Sequence, residues 1–245
     1  MRKELNVKLT GGMDVRKKFV WAALVLLIGG VACGIWTFRK PRPEIQVPIQ
    51  VPFVPSLKIP ALVCPIDKDE DGLDDLQDIV AGAKAEVQRK PQYRSAYYQK
   101  GYPPENEGVC TDVVWRAFRD AGYDLKSLVD QDIRDNRREY SRIEGSPDPN
   151  IDFRRVPNLI VFFRRHAQEL TLEIKPGDVE NLTNWQPGDI VTYATPHEHI
   201  VIVSDKRRPD GVPYILHNAG PIASETDQLE SWPSRMTGHF RFPKF

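Results

Sequence analysis

Twenty consecutive residues, Phe19 to Phe38, carry no charge: Phe-Val-Trp-Ala-Ala-Leu-Val-Leu-Leu-Ile-Gly-Gly-Val-Ala-Cys-Gly-Ile-Trp-Thr-Phe. As a helix rising about 1.5 Å per residue they would extend roughly 30 Å, the thickness of a bilayer core. Trp21 and Trp36 lie near the two ends, where interfacial aromatic side chains belong. A core helix of a soluble domain is rarely this long and uniformly apolar. The run therefore divides the chain into a tail at 1–18, a membrane span at 19–38 and everything that follows.

Six Lys/Arg precede the span (Arg2, Lys3, Lys8, Arg16, Lys17, Lys18) and three follow closely (Arg39, Lys40, Arg42). Cationic loops stay on the cytoplasmic side, so a cytoplasmic tail and an outward-facing bulk are expected. A cleaved leader is the competing interpretation. Gly30-Val-Ala-Cys33 faintly resembles a lipoprotein cleavage site, but Gly30 departs from that pattern and Ile35-Trp36 continue the apolar run past the cysteine. An uncleaved single-pass anchor is expected.

Residues 39–65 form a linker. Seven prolines fall between Pro41 and Pro65, a density that forbids a helix and favours an extended polyproline-like course. Fully extended, it would hold a domain as much as ~75 Å from the membrane; its apolar residues would otherwise pack back onto the domain.

The segment 66–80 is rich in aspartate. Asp67, Asp69, Asp71, Asp75 and Asp78 occupy positions one, three, five, nine and twelve of a loop with Gly72 at six and Leu73 at seven. That is the ligand spacing of a calcium loop, oxygen donors gathered around a sharp turn. Asp78 stands where a bidentate glutamate is usual. A solvated acidic turn capping the following helix, from Leu76 to Gln88, explains the same residues. A structural Ca2+ and a plain cap both stay open.

The remainder, 81–245, has the composition of a globular domain. The whole chain is 40% hydrophobic and 28% charged, with 34 Lys+Arg balancing 34 Asp+Glu. Such balance gives no basic field, so no nucleic-acid partner is expected. Cys33, Cys64 and Cys110 are far apart and form no CxxC pair, which argues against a disulfide framework or a zinc-thiolate site.

Within that domain Cys110 follows a loop rich in Gly and Pro and opens an apolar run. Val113, Val114, Ala117, Phe118 and Ala121 recur at helical spacing, which predicts a helix with one buried face, stopped by Gly122. A cysteine at a helix N-terminus meets free backbone N–H groups and the positive end of the dipole, which favour the nucleophilic thiolate. Two more helices are expected, Leu125–Ile133 and one from Leu159 to Leu170 that places His166 on the surface. From Trp185 the pattern changes to alternating strands: Ile190–Tyr193, His199–Asp205, Tyr214–Asn218 and Gly238–Phe242.

His199 heads one strand and His217 ends the next. Cys110 as nucleophile, His199 as base and His217 as the group that orients the base supply the three roles of nucleophilic catalysis. His197, Glu198 and Asn218 compete for the supporting role. A metal held by His197, Glu198, His199 and His217 is a looser alternative. Tyr102 among Tyr93, Tyr97, Tyr98 and Tyr102 is a candidate donor to an oxyanion, and Asp112 lies beside the nucleophile. Arg154 and Arg155 are suited to grip a substrate carboxylate, or to pair internally with Asp152.

The order cysteine helix, Gln186-Pro-Gly-Asp189, histidine strand and polar residue on the next strand resembles the NlpC-like and CHAP-type cysteine hydrolases. Gly108-Val-Cys-Thr-Asp-Val-Val-Trp115, Asp148-Pro-Asn-Ile-Asp-Phe-Arg-Arg-Val-Pro-Asn158, His199-Ile-Val-Ile-Val-Ser-Asp205 and Gly238-His-Phe-Arg-Phe242 look more closely like the bacterial family called domain of unknown function 1287, over about Asp71 to Phe242. The hydrolase resemblance implies an α+β, papain-like fold with helices packed on an antiparallel sheet. It implies an amidase or endopeptidase that cuts peptidoglycan stem peptides through a Cys110 thioester, with no cofactor required for catalysis. Those hydrolases usually follow the cysteine with Ser-Gly; Thr111-Asp112 here puts the substrate in question. A wall-binding module ordered by calcium and a cysteine-dependent acyltransferase are the alternatives.

Overall fold

Alternating β-branched residues after Trp185 build a sheet, and the amphipathic runs before it supply the helices that cover one side. The computed structural model describes residues 56–245, within the unit Phe53–Phe245. The expected tail, the span 19–38 and the linker as far as residue 55 lie outside the described residues. Among the described residues no helix is long and apolar enough to cross a membrane.

The architecture is α+β. Helix α1 (Asp75–Arg89) is capped by Asp74, whose carboxylate accepts the N–H groups of Leu76 and Gln77. It packs along α2 (Cys110–Asp120). Contact is close because Gly82 has no side chain: a Cβ there would sit 2.9 Å from Ala117 Cα. Helices α3 (Leu125–Asp135), α4 (Val156–His166) and the single turn α5 (Val179–Leu182) follow, with short 3-10 turns at Arg137–Glu139 and Asp152–Arg154. Helix α4 begins earlier than the apolar run suggests, since Pro157 suits a first turn. It ends at His166 because Gln168–Glu169 leave the helix to form strand β3.

Beyond β3, the sheet strands are β4 (Ile190–Tyr193), β5 (His199–Arg207), β6 (Pro213–His217), β7 (Ser224–Thr226) and β8 (Met236–Arg241). Their order is β3-β8-β4-β5-β6-β7, with every neighbouring pair antiparallel. A separate parallel pair, β1 (Gln92–Tyr93) and β2 (Glu107–Gly108), leads into α2.

The sheet separates two cores. Ile190, Ile200, Ile202, Leu216 and Phe240 face the helices, where they meet Val113, Val114, Phe118 and Phe163. Val191, Tyr193, Val201, Val203 and Ile215 face the other way, under Leu182, Trp185 and Leu229. The end of the proline-rich segment also lies on this second core. Leu57 N–H donates to Pro209 O at 2.9 Å, Gln186 bonds to Pro60 O and to Leu62 N–H, and Leu57 and Ile59 are half-buried there. Of the two courses open to the linker, its last residues take the one that packs back.

Helix α2 differs from its periodicity. All nine residues from Cys110 to Phe118 are buried, not one face. The charged positions that periodicity assigns to solvent are neutralised inside: Asp112 pairs with Arg154 at 2.8 Å, and Arg116 pairs with the equally buried Glu86 of α1. A buried ion pair with both members hydrogen-bonded lets a charged stripe enter a core, which a hydropathy pattern does not display.

Candidate active site

Cys110 is the first residue of α2, and its position is locked from behind. Asp112 N–H donates to Val109 O at 3.0 Å, and the Asp112 carboxylate takes back Val109 N–H at 2.7 Å. The same carboxylate accepts Trp115 Nε1–H and two bonds from Arg154, each at 2.8 Å. Arg154 in turn donates to Ala96 O. Of the two courses open to Arg154, a substrate carboxylate or an internal pair, it takes the internal one, but with Asp112 and not Asp152; the two saturate each other inside the protein and hold the start of the cysteine helix. Arg155 pairs with buried Asp152 at 2.9 Å.

On the sheet, the register sets Ile202 opposite Leu216. Position 217 thus opposes 201, two residues from 199 on the same face, so His199 and His217 are diagonal neighbours. Their rings meet edge to face, and His199 Nε2 lies 2.7 Å from His217 Nδ1. His217 Nε2 lies 2.9 Å from Thr226 Oγ1, and the Thr226 hydroxyl donates to Gln228 Oε1 at 3.1 Å. This chain has one direction. Thr226 spends its proton on Gln228, so its oxygen accepts from His217 Nε2–H. His217 Nδ1 is then bare and accepts from His199 Nε2–H, which leaves the His199 Nδ1 lone pair free as a base.

Cys110 and His199 line one cleft of about 620 Å³, together with Tyr93, His197, Glu198 and Trp232. No hydrogen bond joins the two in the structure, which by itself does not exclude a nucleophile–base pair. The polar groups reaching the sulfur are the backbone N–H of Ile200, next to His199, and those of Thr111 and Cys110. These favour the thiolate, as a helix N-terminus should, but burial outweighs them and pushes the Cys110 thiol up to about 11. Burial likewise holds both imidazoles well below the ordinary histidine range. Both shifts favour the uncharged thiol and imidazoles, so burial opposes the pull of the helix end toward the thiolate.

The cleft also shows what sequence reasoning missed. Trp232 stacks flat on His199, ring centroids 4.1 Å apart and planes 8° from parallel, and is fixed by its indole N–H bond to His197 O. An imidazolium formed at His199 would lie over this indole face. Tyr93, not Tyr102, is the tyrosine in the cleft. The Tyr102 hydroxyl is engaged with Asp124, and its ring packs on Trp115 and Phe153. Asn218 is buried and bonded to Pro91 O, Gly108 O and Gly220 N–H, tying the end of β6 to the strands that lead into α2. It does not reach His199 as the third residue; His217 does. His197 and Glu198 stay at the rim. Among the described residues, the group of three or more acidic, histidine or cysteine side chains whose donor atoms converge is Asp67, Asp69 and Asp71, not the histidine set.

The family described as "Domain of unknown function (DUF1287)" matches residues 80–242. A curated relative, "Uncharacterized protein YijF" of Escherichia coli (strain K12), is 40% identical over 172 residues, 67% of this chain and 80% of the relative. No solved structure matches the chain. The family match spans the cysteine helix, the histidine pair and the whole sheet, and on it this chain belongs to the DUF1287 family.

Proposed function

We propose that this chain is a cysteine amidase or endopeptidase of NlpC-like, papain-like type, acting on peptidoglycan stem peptides at the extracytoplasmic face of the membrane. The observation that carries the reading is the pairing of a helix-N-terminal cysteine with a histidine whose tautomer is set by a hydrogen-bonded chain, both opening on one cleft. The membrane location follows from the apolar run and its flanking charge, and the substrate class from the hydrolase resemblance.

In this reading the Cys110 sulfur attacks the scissile carbonyl while His199 Nδ1 takes its proton. Charge develops only as the new C–S bond forms, consistent with a thiol held up and an imidazole held down by burial. The backbone N–H of Cys110 stabilises the oxyanion. His199 then gives its proton to the leaving amine as the C–N bond breaks, and a thioester remains. Water, deprotonated by His199, releases the acid and restores the thiol. His217 keeps the base in the correct tautomer, and Trp232 faces the transient imidazolium.

The test is incubation of purified peptidoglycan with the full-length chain or with Cys110→Ala, followed by mass spectrometry of soluble fragments. The proposal expects fragments from the parent alone, and their masses identify the bond. No fragments from either protein, with both sedimenting with the wall, would replace the hydrolase reading by a binding module.

A further inference from the structure

The Asp-rich loop ahead of α1 takes no part in the cleft. Its backbone is folded by its own carboxylates: Asp67 accepts the N–H groups of Asp71 and Gly72, and Asp71 accepts that of Leu73. One oxygen each from Asp67, Asp69 and Asp71 lies within 4.8 Å of the others. That separation is about twice a Ca–O bond of roughly 2.4 Å, so three such oxygens can share one ion. Like charges this close in a loop repel unless something stands between them.

A second, independent feature points to the same place. Asp78, in the first turn of α1, is 96% withdrawn from solvent, its relative exposure being 4%, and its Oδ2 has no hydrogen-bond partner. A buried carboxylate oxygen without a donor is costly. Asp78 is the twelfth residue of the same loop, and the carboxylates acting on it are Asp71, Asp69 and Asp67 ahead of Asp75; its oxygens lie outside the group of three that already converges, so it would join the ion by a turn of its side chain. Asp75 is different: one of its oxygens accepts Lys68 N–H at 2.7 Å and the other accepts the Tyr123 hydroxyl, so neither is without a partner as Asp78 Oδ2 is.

We propose that Asp67, Asp69, Asp71, the backbone carbonyl of Leu73 and Asp78 bind one Ca2+ ion, with Asp75 acting as a brace outside the coordination shell. An all-oxygen site on a twelve-residue loop suits calcium, which accepts flexible geometry, better than magnesium, which demands a tight octahedron. The ion would clamp three parts of the domain. The loop precedes α1, Asp78 belongs to α1, and Asp69 lies against Gly122 at the end of the cysteine helix, where an added Cβ would be 3.1 Å from Asp69 Cβ.

The test uses the purified full-length chain in mild detergent, stripped with chelator and titrated with CaCl2 by calorimetry, and melted with and without Ca2+ at constant ionic strength. One site is expected, with Kd on the order of 10⁻⁴ M or tighter. At a hundredfold excess over Kd, Tm should rise by roughly 5–10 °C. Asp69→Asn, an exposed position that bonds to nothing in the loop, should weaken binding at least tenfold and remove the Tm rise; Asp78→Asn should do the same, and Glu70→Gln should change neither. Absence of heat and of a Tm rise in the parent would overturn the proposal. So would an equal Tm rise with NaCl at matched ionic strength, which is charge screening of an acidic turn, or an unweakened Asp69→Asn. None of these readouts involves turnover, so the calcium site and the hydrolase reading can fail separately.

Discussion

The cleft and the Asp-rich loop lie at opposite ends of the same helix pair and solve opposite problems. In the cleft, titratable groups are buried, kept neutral and linked by a closed chain of hydrogen bonds from His199 to Gln228. In the loop, carboxylates are brought together and one of them, Asp78, is buried with an oxygen that meets no donor. In the first, the three ring nitrogens other than His199 Nδ1 each have a partner. In the second, Asp78 Oδ2 meets no donor, and that opening is the one the proposed Ca2+ would fill. Buried polarity is therefore informative when one asks which of its bonds are left open.

The largest expected effect falls wholly on the cleft. Cys110→Ala should lower hydrolysis on the order of 10⁴-fold or more, because the nucleophile has no substitute. The Ca2+-dependent Tm rise should survive in that variant. A mass-spectrometric assay that still yields fragments would remove Cys110 from the chemistry.

Next in size is the anchor behind the nucleophile. Asp112→Ala strips Arg154 of its partner and leaves a buried, unpaired guanidinium, a loss of about 3–5 kcal/mol. Urea unfolding should show it. Adding Arg154→Met should recover much of the loss by removing the orphaned charge. If the double variant is no more stable than the single one, the cost lies in the helix cap and not in the ion pair.

Buried neutral imidazoles make a sharper test of how the cleft differs from the loop. His199 and His217 have folded pKa values depressed by burial, below the unfolded value of 6.5. Below about pH 6.5 the unfolded chain binds protons that the folded chain refuses, so stability should fall as pH falls. The expected slope is as much as about 1.4 kcal/mol per pH unit for each imidazole, and above pH 7 neither contributes. His217→Gln should reduce the slope between pH 6.5 and 5. An unchanged slope would mean that His217 is already charged in the folded state.

Much of this was readable from local signals. Cys110 at a helix start, the Gln186-Pro-Gly-Asp189 turn and the histidines on adjacent strands follow from caps, turn residues and alternation. The Gln186-Pro-Gly-Asp189 turn even shows why glycine is needed: Gly188 has φ +87° and a Cβ there would sit 2.8 Å from Leu76 O. The unread parts have nonlocal causes. The Asp112–Arg154 pair joins positions 42 residues apart, so the neighbours of neither residue in sequence announce it. Tyr93, from the two-residue strand β1, and Trp232, from the loop before β8, enter the cleft, and no period marks them. Asp75 fits the calcium spacing as a letter, but its carboxylate also ties Lys68 N–H to the Tyr123 hydroxyl, and spacing alone does not reveal that second role. Tyr102 and Tyr93 are chemically identical choices until the fold points one at Asp124.

A tenfold effect tests the direction of the hydrogen-bonded chain. Thr226→Val removes the acceptor for His217 Nε2–H, so His217 and then His199 lose their fixed tautomers. We expect kcat to fall about tenfold with KM within about twofold, the pattern of a positioning residue that does not touch substrate. Gln228→Glu is the informative partner. A carboxylate still accepts the Thr226 proton and preserves the direction, so kcat should stay within about twofold of the parent while the acid limb of the pH profile moves to higher pH. Equal losses in both variants would mean that Gln228 donates rather than accepts, and that the chain runs the other way.

The smallest effect decides whether the two regions are one device. Helix α1 carries Asp78 at one end and presses Gly82 into the cysteine helix, so a packed path runs from the proposed ion site to the helix that begins at Cys110. Yet Cys110 is held at its own end of α2 by Asp112, Val109 and Arg154, none of which touches the loop. That local lock should dominate. Chelation well below Tm should therefore change turnover by less than about twofold while lowering Tm, making the ion a stabiliser of the fold. A tenfold loss of turnover on chelation, restored by Ca2+ and absent in Asp69→Asn, would instead show that α1 transmits the state of the loop to the nucleophile.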